Sequence, residues 1–277
     1  MSDQATAINT SSNSRVDLDG YKGRGVKVAV IDSGIGVTHE WITHRVKNRV
    51  CFFRKENAVL CDNDVTDMIG HGTAVTGIIL EHAPAAEIFA VKIFHNELKT
   101  KLDVLCESIR WSVDNGMDVI NLSLGTSVCN ERLKRECSHA FENNTIIVAA
   151  GNNDGSSVSY PAAFSNVIGV TGGDISRNRE YYYCLNRQIE FVAKGKKQRL
   201  AWINRSFVFL AGNSFAAPHI TGIVALIRQA FPKLDYWGVR ELLIANAKRE
   251  SPASDMNEIL DGQSGSTNGE YQAYCSI

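Results

Sequence analysis

The chain carries no excess of either charge: 29 basic residues stand against 30 acidic ones, a net of −1. That balance excludes a surface whose overall field attracts nucleic acid or an anionic membrane. No apolar run approaches the roughly 18 residues that cross a bilayer, so neither nucleic acid nor membrane is expected as a partner. An apolar leader is missing as well. The first 25 residues, MSDQATAINTSSNSRVDLDGYKGRG, are polar and lack the apolar core of a secretory signal, which predicts a cytoplasmic location. The seven cysteines (51, 61, 106, 129, 137, 184 and 275) are odd in number and show no metal-ligand spacing. In a domain large enough to stand without cross-links they read as free thiols in a reducing compartment.

What is present is an alternation of apolar strands and amphipathic helices. Lys27 to Ile31 (KVAVI) reads as a buried strand that delivers Asp32 at its end, and 71–81 reads as a helix. The strand 86–94 is followed by Leu102, Leu105, Cys106, Ile109 and Val113 at helical spacing, up to Gly116. Strand 118–122, a helix marked by Leu133, Cys137 and Ala140, and strand 145–150 repeat the pattern. Such alternation predicts an α/β fold with a parallel, doubly wound sheet. Sites in that architecture gather beyond the carboxyl ends of the strands, where Asp32, Ser123 and Asn152 fall. Residues 181–209 suggest small antiparallel strands, and a long helix after Ser214 carries Ile220, Ile223, Val224 and Ile227 and stops before Pro232. The 277 residues are expected to divide into a polar arm (1–24), one folded domain (25–250) and a Ser-, Gly- and Asn-rich tail (251–277) that is loop or partly disordered.

Three short segments carry chemistry: VAVIDSGIG around Asp32, GHGTAVTGII around His71 and AGNSFAAPHITG around Ser214. A carboxylate, an imidazole and a hydroxyl are what a serine nucleophile needs at neutral pH. Each alone has a plain alternative as a turn former, a structural histidine or a helix cap. In the order Asp, His, Ser, with HGT after the His and GxSxAxPH at the Ser, the chain resembles the subtilisin family of serine peptidases. The resemblance implies a three-layer sandwich with a mostly parallel central sheet. It also implies Ser214 as nucleophile, His71 as general base and then acid, and Asp32 as the orienting carboxylate. Asn152 in VAAGNN matches the family's oxyanion-hole residue.

The same resemblance marks substrate-binding positions. Ser123, Leu124 and Gly125 match the segment that pairs with substrate backbone in relatives, and Ala149, Ala150 and Gly151 match the other wall of the specificity pocket. The substrate implied is a peptide or protein bound in extended conformation. Several residues depart from the pattern. Ser159 stands before Tyr160 and Pro161 where relatives often have Gly, which predicts a raised pocket floor and a smaller or polar preferred side chain. Asn213 and Phe215 flank the nucleophile where relatives usually carry Thr and Met. Asp67 sits where relatives place an acid near the second subsite; it reads either as a selector for a basic residue or as a solvated acid. No cofactor is expected, because the loop that holds the tight calcium of secreted relatives is missing from IILEHAPAAEIF. Asp62, Asp64 and Asp67 stand as the candidate calcium ligands.

The function expected is therefore serine endopeptidase activity through an acyl-enzyme, with leader removal from a specific peptide precursor as one role. Two other readings use the same residues: a ligase or macrocyclase, in which an amine captures the acyl group, and a catalytically silent peptide-binding module. Oligomeric state is not legible.

Overall fold

The computed structural model describes residues 15–42, 44–152, 158–249 and 272–274. In chain order the elements are β1 (Lys27–Asp32), β2 (Val46–Lys55), β3 (Ala58–Asp62), α1 (His71–His82), β4 (Glu87–Lys92), β5 (Lys99–Lys101) and α2 (Leu102–Asp114). There follow β6 (Val119–Leu122), α3 (Glu131–Glu142), β7 (Ile146–Ala150), β8 (Ile168–Gly173), β9 (Tyr182–Tyr183), β10 (Phe191–Lys194), β11 (Gln198–Ala201) and β12 (Phe207–Leu210). The chain then forms α4 (Ala217–Ala230), α5 (Tyr236–Asn246), β13 (Lys248–Arg249) and β14 (Gln272–Tyr274).

Ten strands form one sheet in the order β13-β9-β10-β8-β7-β6-β1-β4-β2-β3. From β10 to β2 every neighbouring pair is parallel; β3 pairs antiparallel at one edge, while at the other β9 pairs antiparallel with β10 and the edge strand β13 pairs parallel with β9. β1 lies between β6 and β4, so the chain winds outward from it in both directions. A crevice opens at such a point beyond the strand ends. Alternation along β1 fills both faces: Val28 and Val30 belong to one core cluster, Ala29 and Ile31 to the other. The first cluster also contains the apolar side chains of α1 and α4, and the second those of α2 and α3, which gives helix, sheet and helix layers.

Most elements follow the sequence pattern. α2 buries Leu102, Leu105, Cys106, Ile109 and Val113 on one face. Asn130 caps α3 by accepting from the backbone N–H of Arg132 and Leu133. The hairpin β2–β3, strand β8 and helix α5 were not expected from the sequence. The antiparallel reading of 181–209 holds for β9–β10 and β11–β12 but is corrected at β10, which joins β8 in parallel. The expected arm lies outside the described residues up to residue 14, as does the expected irregular tail except at β14, which pairs antiparallel with β5. Among the described residues, cysteines 51, 61, 106, 129, 137 and 184 form no disulfide, and Cys275 falls outside the described residues. Burial pushes the Cys51 and Cys106 thiols up to about 12, so both stay protonated and unreactive at neutral pH.

α1 is buried on nearly every side, and α4 packs directly against it. Between the two helices lies a chain of buried polar side chains. His82 Nε2 is 2.8 Å from His219 Nδ1, and His219 Nε2 is 3.1 Å from Gln198 Oε1. Gln198 Oε1 can only accept, so His219 carries its proton on Nε2, and its Nδ1 accepts from His82 Nε2–H. The His219 ring is thereby neutral. Burial, with Arg179 and Lys194 nearby, lowers His82 to about 3, and burial also holds His219 well below the usual value. The unfolded chain takes up protons at these sites as pH falls below about 6.5, whereas the native state does not, so stability decreases with falling pH. Two such groups give a slope approaching about 2.7 kcal/mol per pH unit. Thermal midpoints measured from pH 6.5 down to 5 should drop steadily, and His82→Gln, which keeps a donor for His219, should flatten that slope by about half. An unchanged slope in the variant would refute the assignment.

Candidate active site

Asp32 is the last residue of β1, and its carbonyl accepts from the N–H groups of Ile93 and Phe94 at 2.8 and 3.3 Å. Its carboxylate faces the start of α1, where Asp32 Oδ1 lies 2.7 Å from His71 Nδ1 with both side chains fully buried. That approach needs a bare backbone. A Cβ on Gly72 would stand 2.1 Å from the Gly34 carbonyl oxygen and 3.2 Å from Asp32 Cβ, so the residue after His71 has to be glycine.

A second carboxylate fixes the same junction. Asp67 is only 6% exposed. Its Oδ1 accepts from the N–H groups of Ile69 and Gly70 and from Ser33 Oγ, at 3.0, 2.7 and 2.9 Å. Its Oδ2 accepts from Thr73 N–H and Thr73 Oγ1 at 2.9 and 2.5 Å. Ser33 Oγ in turn accepts from Gly72 N–H at 2.9 Å. Asp67 thus takes up N–H groups at the start of α1, where a negative charge is also favoured by the helix dipole. This corrects both readings of Asp67: it is neither a selector in the second subsite nor a solvated acid, because its lone pairs are directed into the junction. Ser33, which sequence reasoning passed over, is the link between the two segments.

Ser214 sits in the turn Asn213–Phe215, which packs against α1 and β8 and leads into α4. The Phe215 ring lies 5.2 Å from the His71 ring, which places the Ser214 turn beside the imidazole. Ser214 Oγ is buried and makes no hydrogen bond to any described residue. Asn152 follows β7, and a Cβ built on Gly125 would lie 3.5 Å from Asn152 Oδ1, so the amide is directed toward the segment after β6.

Ser123, Leu124 and Gly125 continue from β6, while Ala149 and Ala150 end β7 and Gly151 follows, donating to Val170 O at 2.8 Å. The two walls are neighbours in the sheet, with Leu122 opposite Ala149. Ser123 is fully buried, and its Oγ accepts from Asn121 Nδ2 at 3.0 Å; Asn121 Oδ1 accepts from Thr221 Oγ1 of α4 at 2.7 Å. Its hydroxyl is therefore engaged in the core. Ser159 lies between the walls: its Oγ is 3.4 Å from Ala150 O, and a Cβ on Gly125 would be 2.2 Å from it. Paired bonds of 2.8 Å between Thr126 and Tyr160 hold that segment in place.

The three acids weighed as calcium ligands do not converge. Asp62 Oδ1 accepts from Asp64 N–H at 2.9 Å, Asp64 Oδ1 accepts from Thr66 N–H at 3.0 Å, and Asp67 turns inward. The Thr66 bonds hold the Asp64 carboxyl below its ordinary value. Among the described residues no group of three His, Cys, Asp or Glu side chains is placed to hold a metal ion.

The family model described as the Subtilase family matches residues 23–268. The chain belongs to that family. It is 32% identical over 247 residues to Subtilisin DY of Bacillus licheniformis, covering 84% of this chain and 87% of that relative. It is 33% identical to the Minor extracellular protease Epr of Bacillus subtilis (strain 168), over 77% of this chain and 33% of that one. Among solved structures, S41 Psychrophilic Protease matches with a TM-score of 0.71 at 24% identity, covering 85% of each chain. Sphericase matches with a TM-score of 0.70 over 84% of each chain. The fold is accordingly the subtilisin-like α/β sandwich, and the activity of this subtilase is serine-peptidase hydrolysis of peptide or protein substrates.

The relatives also correct the cytoplasmic location expected from composition, since one is named as an extracellular protease. A polar start and an odd number of cysteines describe what the folded chain tolerates; neither is an address. As to membranes, no described helix is long and apolar enough to cross one.

The junction generates a test. Asp67→Asn removes the charge that gathers N–H groups at the start of α1 and should cost about 2–4 kcal/mol of stability, read as a lower denaturant midpoint. The ratio of kcat/KM for peptides with Lys against Ala at the second position before the cut should stay within twofold of the parent; a collapse of that ratio would restore the subsite reading.

Proposed function

We propose that Ser214, His71, Asp32 and Asn152 carry the hydrolysis in the following roles. Ser214 Oγ attacks the scissile carbonyl carbon as its proton passes to His71 Nε2, and Asp32, on Nδ1, stabilises the imidazolium that forms. The oxyanion accepts hydrogen bonds from the Asn152 side-chain amide and the Ser214 backbone N–H. His71 then protonates the leaving nitrogen, the C–N bond breaks, and water attacks the acyl-enzyme by the same route in reverse. The observation that carries this reading is the buried 2.7 Å contact between Asp32 Oδ1 and His71 Nδ1, beside the Ser214 turn. It fixes which ring nitrogen is turned away from Asp32 and toward chemistry.

The substrate lies extended, pairing its backbone with Ser123–Gly125 and directing one side chain between that wall and Ala149–Gly151. The Ser159 hydroxyl, lodged against Gly125 and Ala150, shortens the space between the walls and favours a small or polar side chain. All groups assigned to the reaction belong to the chain itself, so the reaction requires no cofactor and should persist in a chelator.

Ser214→Ala should abolish turnover and labelling by a fluorophosphonate while leaving the thermal midpoint within a few degrees of the parent. Asn152→Ala should lower kcat by about 10²- to 10³-fold with little change in KM, the magnitude known for removing such a donor from subtilisin. A rise in KM alone would assign Asn152 to ground-state binding. Ser159→Gly should raise kcat/KM for Leu or Phe before the cut, relative to Ala, by about tenfold, as read from a peptide library sequenced after digestion.

A further inference from the structure

Asn213, the residue before the nucleophile, holds two strand ends at once. Its Oδ1 accepts from Gly172 N–H at 2.6 Å, and its Nδ2 donates to the carbonyl oxygen of Asn152 at 2.6 Å. One partner can only donate and the other can only accept, so the orientation of the carboxamide is set by its surroundings.

The place of this bridge in the sheet gives it meaning. β7 and β8 run in parallel register through Val148, Ala149 and Ala150, and Gly151 N–H still donates to Val170 O at 2.8 Å. Beyond that bond the next donor on β8, Gly172 N–H, goes to Asn213. The carboxamide of Asn213 acts as a peptide unit spliced between Gly172 and Asn152, continuing the ladder one step past the end of β7. Space for it exists because Gly172 has no side chain: a Cβ there would stand 2.6 Å from Asn213 Oδ1 and 3.0 Å from Gly195 Cα. Gly212 N–H, donating to Gly195 O at 2.9 Å, anchors the chain just before Asn213.

We infer that Asn213 is a positioning residue that sets the backbone of Asn152, and through it the side-chain amide, in register with Ser214. This rests on the proposed reading of Asn152 as an oxyanion donor. A displacement of under 1 Å in such a donor matters, because its contribution comes from being aimed in advance at charge that develops in the transition state. The task requires one donor and one acceptor held in a rigid plane. Asparagine supplies both. Aspartate keeps the acceptor for Gly172 but presents a second oxygen to the Asn152 carbonyl, and threonine has a single hydroxyl to serve both partners.

The experiment is a double-mutant cycle on the full chain, with each preparation normalised by fluorophosphonate active-site titration so that only folded sites are counted. Asn213→Asp should lower kcat about tenfold or more with KM changed less than threefold, and Asn213→Thr should lower it by less. In the Asn152→Ala background, adding Asn213→Asp should change kcat by no more than about twofold, because the residue acts through Asn152. Should Asn213→Asp fail to yield titratable protein, Asn213→Thr takes its place in the cycle, its smaller loss of kcat being expected to vanish in the Asn152→Ala background. Equal effects of the position 213 change in both backgrounds, or a kcat for Asn213→Asp within twofold of the parent, would overturn the inference while leaving Asn152 as donor. Loss of any kcat effect from Asn152→Ala would overturn the oxyanion reading and the inference with it.

Discussion

Asp32 and His71 meet because helix α1 starts against the end of strand β1 with no side chain between them. Everything at the site depends on that junction. Gly72 supplies the clearance, Ser33 supplies the bridge, and the Asp67 carboxylate gathers N–H groups of Ile69, Gly70 and Thr73 that the first turn leaves without helical partners. The two carboxylates have opposite duties. Asp67 spends its lone pairs on fixed backbone donors and so holds geometry, whereas Asp32 keeps Oδ2 without a hydrogen bond to any described residue. A carboxylate buried against an imidazole stabilises the ring's charged form more strongly than it would in water.

The layers behind the site are polar in selected places. His82, His219 and Gln198 form one buried chain between α1 and the β11 strand, and Asn121, Ser123 and Thr221 form another between β6 and α4. These contacts tie α4, which begins just after Ser214, to the helix that begins at His71 and to the strand that leads into Ser123–Gly125. Hydrogen bonds are directional where apolar packing is not. They fix the register of the three elements, and with it the relative position of Ser214, His71 and the segment after β6.

The departures from the family pattern have local physical meaning. Ser159 fills space between two walls that are otherwise lined by small residues and backbone. Asn213 places a carboxamide where relatives usually carry a hydroxyl, and its separate acceptor and donor atoms bridge Gly172 of β8 and the Asn152 carbonyl just past β7. Both changes lie in the support around the reacting atoms, where a family can vary specificity and rate without altering the chemistry.

The sequence by itself determined the layer architecture, because apolar alternation in strands such as KVAVI and the spaced apolar residues of α2 and α3 are local properties that need no distant partner to be read. It also determined the family and the positions of Asp32, His71, Ser214 and Asn152, since these sit in short motifs at strand ends and helix starts. α1 was legible from its motif rather than from periodicity, for a helix buried on nearly every side shows no apolar face. Tertiary structure alone decided what Asp67 does: an acid in a polar run looks solvated until the turn folds its carboxylate onto the start of α1. It alone decided the pairing of His82 with His219, 137 positions apart, and the bridge made by Asn213 between Gly172 of β8 and Asn152 just past β7. Such residues are invisible in sequence because their chemistry is set by which backbone groups the fold leaves without partners, and that is known only once the elements have met.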